Sequence, residues 1–236
     1  PPLTGPYVFT IVAQALSIIV YLFALRPDPL LVAQTVAQRR RDRVVEQLVK
    51  PDRPVSARYA IFANAAAHGV MVSIMAMTPV HMLHHGASLT IIGLTISLHI
   101  AGMYALSPVF GILADRVGRI PTIMVGQALL AASLVTVFFG AESNTAVTVA
   151  LILLGLGWSA ATVAGSALLT ESSSEERRTT RQGRNDLSMS LVGAVGAITS
   201  GVVLGWIGFT GLALVVGVAV IATVLLAPYG RIRQAA

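Results

Sequence analysis

Methionine and histidine side chains recur at helical spacing in two apolar stretches of the sequence. The stretch HGVMVSIMAM contains Met71 and Met75, four residues apart, and the stretch SLHIAGMYAL contains His99 and Met103, also four apart. Residues at this spacing share one face of a helix. Thioether and imidazole groups together are ligands that suit Cu(I), and both are neutral, so they bind a cation without adding charge to an apolar region. The pattern predicts a site for a soft cation.

The same chemistry is concentrated in one part of the chain. All five histidines and five of the seven methionines fall between residues 68 and 103. His68 shares the stripe of Met71 and Met75, and we expect it to be an additional ligand or a proton relay. A further group follows the first stretch and is expected to capture metal at the outer mouth: His81, Met82, His84 and His85. The competing interpretation is packing, since methionine commonly fills gaps between apolar helices.

Composition restricts the class of protein. The chain has 236 residues, of which 55% are hydrophobic and 11% are charged, whereas soluble domains carry about 25% charged residues. This composition predicts a multi-pass membrane protein. There is no cysteine, which excludes disulfides and thiolate metal sites. No nucleotide-binding loop or catalytic constellation is visible, so we expect neither an enzyme nor a cofactor.

Seven apolar segments are long enough to cross a bilayer, which takes about 20 residues. They are residues 6–25, 57–80, 88–112, 120–140, 145–169, 187–207 and 210–228. A tight turn around Gly208 separates the last two. Gly201 and Gly205 have the spacing of a helix-packing motif.

The basic residues alternate between the two sides of these segments. All sixteen Lys and Arg residues lie in 26–58, 116–119, 177–184 and 231–233. The intervening connections 81–87, 141–144 and 208–211 contain none. By the positive-inside rule the basic segments and the C-terminus are cytoplasmic. Topology accounts for the positive charge, so we do not expect a nucleic-acid partner.

The lengths of the connections predict three regions within an all-α membrane protein. These are a single helix at 1–25, a central cytoplasmic loop at 26–56 and a six-helix bundle at 57–236. Asp186 and Glu171 are expected at cytoplasmic helix ends, so no carboxylate is predicted at mid-membrane. A proton-coupling group would then be His68 or His99, or would lie outside this sequence.

One connection carries a motif, GILADRVGRIP at 111–121. It resembles the G-x-L-a-D-R-x-G-R signature of the major facilitator superfamily. The matching positions are Gly111, Leu113, Asp115, Arg116, Gly118 and Arg119. Glycine at 111 would permit close helix approach, glycine at 118 a tight turn, and the charged residues would interact at the membrane surface.

The resemblance implies a fold and a mechanism. The seven spans would be helices 6 to 12 of a twelve-helix transporter, with helices 1 to 5 in an N-terminal half missing from the sequence. Transport would proceed by alternating access, in which two halves move about a site near the bilayer midplane. The motif residues would act as a gating latch on the cytoplasmic side.

The paired methionine and histidine motifs resemble those of the CcoA-like bacterial copper importers. The implied ligands are Met71, Met75, His99 and Met103, with copper as the transported ion. The implied activity is import across a bacterial inner membrane. Two alternatives stay open: a drug or metabolite antiporter of the same superfamily, and a non-transporting membrane sensor or assembly factor on this fold.

Overall fold

The computed structural model describes residues 5–24, 26, 31–32, 35 and 52–231. The chain divides into two compact units, Pro1–Val49 and Lys50–Ala236. In the first unit, helix α1 spans Gly5–Ala24 and contains no charged residue. Its 20 residues are about 30 Å long, which matches a bilayer core. Most of the predicted loop 26–56 lies outside the described residues.

The second unit is a bundle of α-helices, and its described residues contain no strand. Its helices are α2 (Pro54–His84), α3 (Leu89–Tyr104), α4 (Ser107–Arg116), α5 (Arg119–Gly140), α6 (Asn144–Glu171), α7 (Glu175–Leu225) and α8 (Ala227–Gly230). Five helical segments of the described chain are long and apolar enough to cross a membrane, with α3 and α4 together forming one of them. The hydropathy pattern therefore located these helices correctly.

The span predicted at 88–112 is broken into α3 and α4. The cause is Pro108, near the start of α4, because proline has no N–H and its ring displaces the carbonyl four residues earlier. That carbonyl belongs to Tyr104, and the Ser107 hydroxyl donates to it at 2.8 Å. The hydrogen bond satisfies the released carbonyl within the membrane-spanning segment.

Helix α7 runs for 51 residues but changes direction at Gly208, where φ is 74° and ψ is −178°. A straight helix of that length would be about 77 Å long, far more than one bilayer. The break therefore divides α7 into two spans, and the predicted turn at Gly208 is confirmed. The first half begins at Glu175, well before the apolar segment that starts at 187, so the polar stretch 175–186 is helical too.

Helix α6 lies at the centre of the bundle and packs against α2, α3, α4 and α5, while α2 also packs against α7. Glycines allow these close crossings. A Cβ atom at Gly157 would lie 2.8 Å from the backbone nitrogen of Leu130, and one at Gly126 would lie 2.6 Å from that of Ala161. Within the described part of the chain, a Cβ atom at the predicted packing glycine Gly205 would meet no atom within 4 Å, and one at Gly201 would meet only the Met77 sulfur, at 3.8 Å.

We expect Gly208→Ala to destabilise the bundle by about 1–3 kcal/mol, because its backbone conformation is accessible essentially to glycine alone. A Cβ at this position would meet no atom of the described residues within 4 Å, so the cost comes from the backbone. The matched control is Gly205→Ala, which is equally unobstructed but lies in regular helix, where alanine stabilises by about 0.5–1 kcal/mol. Unfolding in detergent micelles, followed by circular dichroism, measures both. Equal effects would contradict the prediction.

Candidate functional site

The two predicted methionines of α2 lie in and beside the apolar core. Met71 is buried, and Met75 is half-buried and packs against the same cluster. Met103 of α3 is buried in that cluster as well. Helices α2 and α3 contact each other little, and both pack against α6. The structure thus places the three sulfur side chains in or beside one apolar core.

His99 is completely buried and has one hydrogen-bond partner in the part of the chain that the structure describes. Its Nδ1–H donates to the carbonyl of Leu151 on α6 at 2.8 Å. A carbonyl only accepts, so a neutral ring with its proton on Nδ1 has an unprotonated Nε2. That Nε2 atom is buried and has no hydrogen-bond partner among the described residues. His99 therefore joins α3 to α6 and also retains a free lone pair.

His68 belongs to a group of rings that the sequence analysis missed. The Trp158 indole N–H donates to His68 Nδ1 at 3.2 Å, and the two ring centroids are 6.2 Å apart. Tyr104 packs edge-on against Trp158 with centroids 6.1 Å apart. His68 and Trp158 are half-buried, and Tyr104 is exposed. Rings from α2, α6 and α3 thus meet at one accessible place. The feature of the sequence that could have indicated this group is that Trp158 is one of only two tryptophans.

The backbone of α7 holds His68 from the other side. A Cβ atom at Gly193 would lie 3.0 Å from both Cδ2 and Nε2 of the His68 ring. Glycine at this position therefore makes room for the imidazole. His68 is fixed between the α7 backbone and the Trp158 indole.

The residues predicted to form an outer metal-capture group have different surroundings. Met82 is fully buried in the apolar core. His81 donates from Nε2 to the Ala141 carbonyl at 2.7 Å and stacks on Phe209 with centroids 4.3 Å apart. His85 donates from Nδ1 to the His81 carbonyl at 2.9 Å, and His84 is exposed. His81 thereby ties the end of α2 to the α5–α6 connection and to α7.

Among the described residues, no group of three or more His, Cys, Asp or Glu side chains is placed to hold a metal ion. Methionine is not one of these residue types. The predicted site formed by Met71, Met75, His99 and Met103 therefore stays a prediction.

The signature motif forms an ion-pair network around Arg119. Its guanidinium bonds the carboxylate of Asp115, and it donates to Glu171 Oε1 from Nη2 at 2.7 Å and from Nε at 3.0 Å. Arg119 thus links α4, α5 and α6. The other arginine of the motif, Arg116, is exposed. Glu171 could not be paired with it from the sequence, because 52 positions separate them.

The two glycines of the motif differ. Gly118 adopts a φ of 112° at the α4–α5 turn, as its predicted role requires. A Cβ at Gly111 would meet no atom within 4 Å. The expectation of a close helix approach at Gly111 is therefore not met within the described part of the chain.

A second network fastens the segment before α2 to the α6–α7 turn. Arg181, which is buried, bonds both oxygens of Asp52 at 2.7 and 2.9 Å, and Arg177 donates to Asp52 at 3.0 Å. The Ser174 N–H donates to Asp52 at 3.3 Å. Burial opposes ionisation, but the Ser174 N–H and the two guanidinium groups outweigh it and hold the pKa of Asp52 below its ordinary value of 3.8.

Comparison with known proteins decides the family. The family model described as Major Facilitator Superfamily matches residues 59–234. The chain belongs to this superfamily. Its members are membrane transporters, and two similar proteins, described below, are named as transporters. The chain is therefore a multi-pass membrane protein of a transporter family and not an enzyme.

Three relatives illustrate the match. The uncharacterized MFS-type transporter YdeG of Bacillus subtilis (strain 168) is 36% identical over 223 residues, which are 92% of this chain and 52% of the relative. YddS of the same strain, also an uncharacterized MFS-type transporter, is 38% identical over 216 residues, covering 89% and 50%. The riboflavin transporter RfnT of Brucella anthropi is 29% identical over 150 residues, covering 62% and 37%.

The chain spans about half the length of the first two relatives. The superfamily prediction is confirmed by these matches. None of the three names refers to copper, so the resemblance to copper importers gains no support from them.

The Asp52 network predicts an acid-sensitive contribution to stability. A lowered pKa in the folded state stabilises the fold at pH values above the unfolded pKa, and the contribution is lost as pH falls through the folded pKa. We expect Asp52→Asn to lower Tm at pH 7 and the difference from wild type to shrink below about pH 3.8. Thermal melts from pH 7 to pH 3 test this, with the exposed Glu142→Gln as control. A difference independent of pH would contradict it.

Proposed function

We propose that this chain serves a secondary transporter that carries a small organic solute with a planar ring. On this proposal the six-helix unit supplies one of the two halves that move in alternating access. The solute binds against the ring group defined by His68, Trp158 and Tyr104. This corresponds to the metabolite-carrier alternative among the predictions from sequence.

The observation that carries the proposal is the hydrogen bond from Trp158 to His68. It fixes two half-buried rings side by side and leaves part of each accessible. A polar side chain within a spanning helix is costly unless it is paired, and such residues commonly mark substrate pathways. Ligand sites combine aromatic walls with a few polar groups. The ring group supplies both.

The chemistry of the rings suggests the class of solute. Flat aromatic faces favour stacked or edge-on partners at ring-centroid separations of about 4.5–7 Å. Riboflavin, which has a planar ring system, appears in the name of one relative. We therefore infer that planar heterocycles are better candidates than flexible aliphatic solutes.

Tryptophan fluorescence tests this site because the chain has only two tryptophans. Trp206 is 83% exposed and lies outside the ring group, so Trp206→Phe leaves Trp158 as the sole reporter. We expect riboflavin added to the purified protein in detergent to quench Trp158 emission with saturation. The matched variant Trp158→Phe, which retains Trp206, is expected to show only linear, non-saturating attenuation.

A further variant and a check of folding distinguish riboflavin binding from inner-filter effects and from misfolding. In the Trp206→Phe background, His68→Gln is expected to weaken riboflavin binding at least severalfold, because Trp158 loses its positioning partner. Circular dichroism checks that the variants retain their helices. Saturation in both single-tryptophan proteins, or in neither, would reject the ring group as the binding site for this solute.

Copper is the second candidate, and His99 is the observation that favours it. Metal-binding histidines commonly donate their other ring N–H to a backbone carbonyl, as His99 does to Leu151. Its buried Nε2 has no partner within the described ranges, and Met103 follows one turn later. Met71 and Met75 would complete the proposed set from α2, with Cu(I) as substrate and import as the direction.

A competition titration distinguishes this candidate. Under reducing conditions, we expect the purified protein to withdraw Cu(I) from a chromophoric chelator, and Met103→Leu and His99→Gln to lower its affinity at least tenfold. Met124→Leu on α5 is the matched control, because it removes a thioether outside the proposed set. Equal affinity in wild type, Met103→Leu and His99→Gln would eliminate the copper site.

The orientation follows the distribution of charge. We propose a bacterial inner-membrane location with a cytoplasmic C-terminus, supported by the positive-inside rule. The Arg119 and Asp52 networks would then lie at the cytoplasmic end, and His81 at the outer end.

A further inference from the structure

Two imidazole rings lie one turn apart at the C-terminal end of α2. His81 and His85 are separated by four positions, so they share one face of the helix. Their ring centroids are 4.2 Å apart, and the ring planes are tilted by 42°. The backbone N–H of His85 donates to the His81 carbonyl at 3.2 Å, and Gly86 follows with a φ of 75°. The last helical turn therefore sets the separation of the two residues.

A backbone carbonyl fixes the position of the proton on each ring. The Nε2–H of His81 donates to the Ala141 carbonyl at 2.7 Å, and the Nδ1–H of His85 donates to the His81 carbonyl at 2.9 Å. A carbonyl only accepts, so the other nitrogen of each neutral ring carries a lone pair. These two atoms are Nδ1 of His81 and Nε2 of His85. Histidines that bind metals commonly donate their second ring N–H in this way, which makes the ligating nitrogen more basic.

The pair is accessible and is smaller than the metal-capture group predicted from the sequence. His85 is exposed, and His81 is 9% exposed. Met82 points into the apolar core and is fully buried, so its sulfur is not available. His84 is also exposed, but the three histidines do not form a group placed to hold one ion among the described residues. Two nitrogen ligands remain, one from each ring of the pair.

We propose that His81 and His85 form a two-histidine site for a divalent transition-metal ion of the Zn²⁺ class. The ion binds Nδ1 of His81 and Nε2 of His85, and imidazole is a ligand that suits such ions. A Zn–N bond is about 2.0–2.1 Å long, so two nitrogens on one ion are at most about 4 Å apart. The 4.2 Å between the ring centroids is compatible with this limit. Both lone pairs are already free, so binding displaces water and releases no proton from the rings.

The bound ion would strengthen the contact that His81 makes between helices. His81 uses its Nε2–H for the Ala141 carbonyl and its ring face for Phe209, and these contacts leave Nδ1 available. The ion binds when the ring keeps this orientation, so binding favours the state in which α2 is joined to α7 and to the α5–α6 connection. With two protein ligands, water or a solute occupies the other coordination positions, and the ion can exchange.

A zinc titration of the purified protein in detergent, free of any histidine tag, tests the site. At neutral pH we expect the wild type to withdraw one Zn²⁺ ion per chain from a chromophoric indicator. His85→Gln is expected to lower the affinity at least about tenfold, because even the loss of a partner outside the coordination shell costs about that much. His84→Gln is the matched control, since it removes an exposed neighbouring imidazole, and it is expected to retain the wild-type affinity.

Thermal unfolding provides a second measurement on the same proteins. We expect Zn²⁺ to raise the Tm of the wild type and of His84→Gln and to leave the Tm of His85→Gln unchanged. His85→Gln keeps the contacts of His81 with Ala141 and Phe209, and circular dichroism checks that it retains its helices.

Three results would overturn the proposal: no zinc binding by the wild type, equal affinity in the wild type and His85→Gln, or an equal loss of affinity in His84→Gln and His85→Gln. Neither riboflavin nor Cu(I) is added, so failure here is distinct from failure of the proposed solute and copper sites.

Discussion

Close approach of four helices to α6 is the constraint on which the other features of the bundle depend. Gly155 admits the backbone of α3 at His99, Gly157 admits α5, and Gly165 admits the Asn64 side chain of α2. A side chain at any of these positions would push a neighbour away. At such short separations each polar group on the neighbouring helices needs a partner nearby, because apolar surroundings supply none. The buried polar contacts therefore collect around α6.

The elements of the fold could be predicted because each depends on local chemistry. Apolar length located the spans, glycine at 208 identified the break in α7, and alternating basic segments indicated topology. The errors arose where hydropathy and helicity differ. Asp186 was assigned to a helix end because the apolar segment starts at 187, yet α7 begins at Glu175. A hydropathy profile ends where charge begins, whereas a helix continues as long as its backbone hydrogen bonds do.

The candidate site was less accessible to sequence reasoning because its contacts join distant parts of the chain. Trp158 and His68 are 90 positions apart, and no periodicity within one helix predicts which faces of two helices meet. The Met71 and Met103 pattern was visible, but it is compatible with both packing and ligation. The structure shows that these side chains meet the packing requirement of the core. Within the predicted ligand set, the Nε2 atom of His99 has no hydrogen-bond partner among the described residues, and packing alone does not explain this.

The two ends of the bundle are held by different kinds of contact. Carboxylate–arginine pairs hold one end, where Arg119 links α4 and α5 to the end of α6, and Asp52 links the start of α2 to α7. The His81 imidazole links helices at the other end through a carbonyl and a stacked ring. Charge-assisted bonds are stronger and more directional than neutral ones. Separating the helices at the first end would therefore break ion pairs, whereas separating them at the second end would break the contacts of the His81 imidazole. The two ends of the bundle are thus stabilised by contacts of different strength.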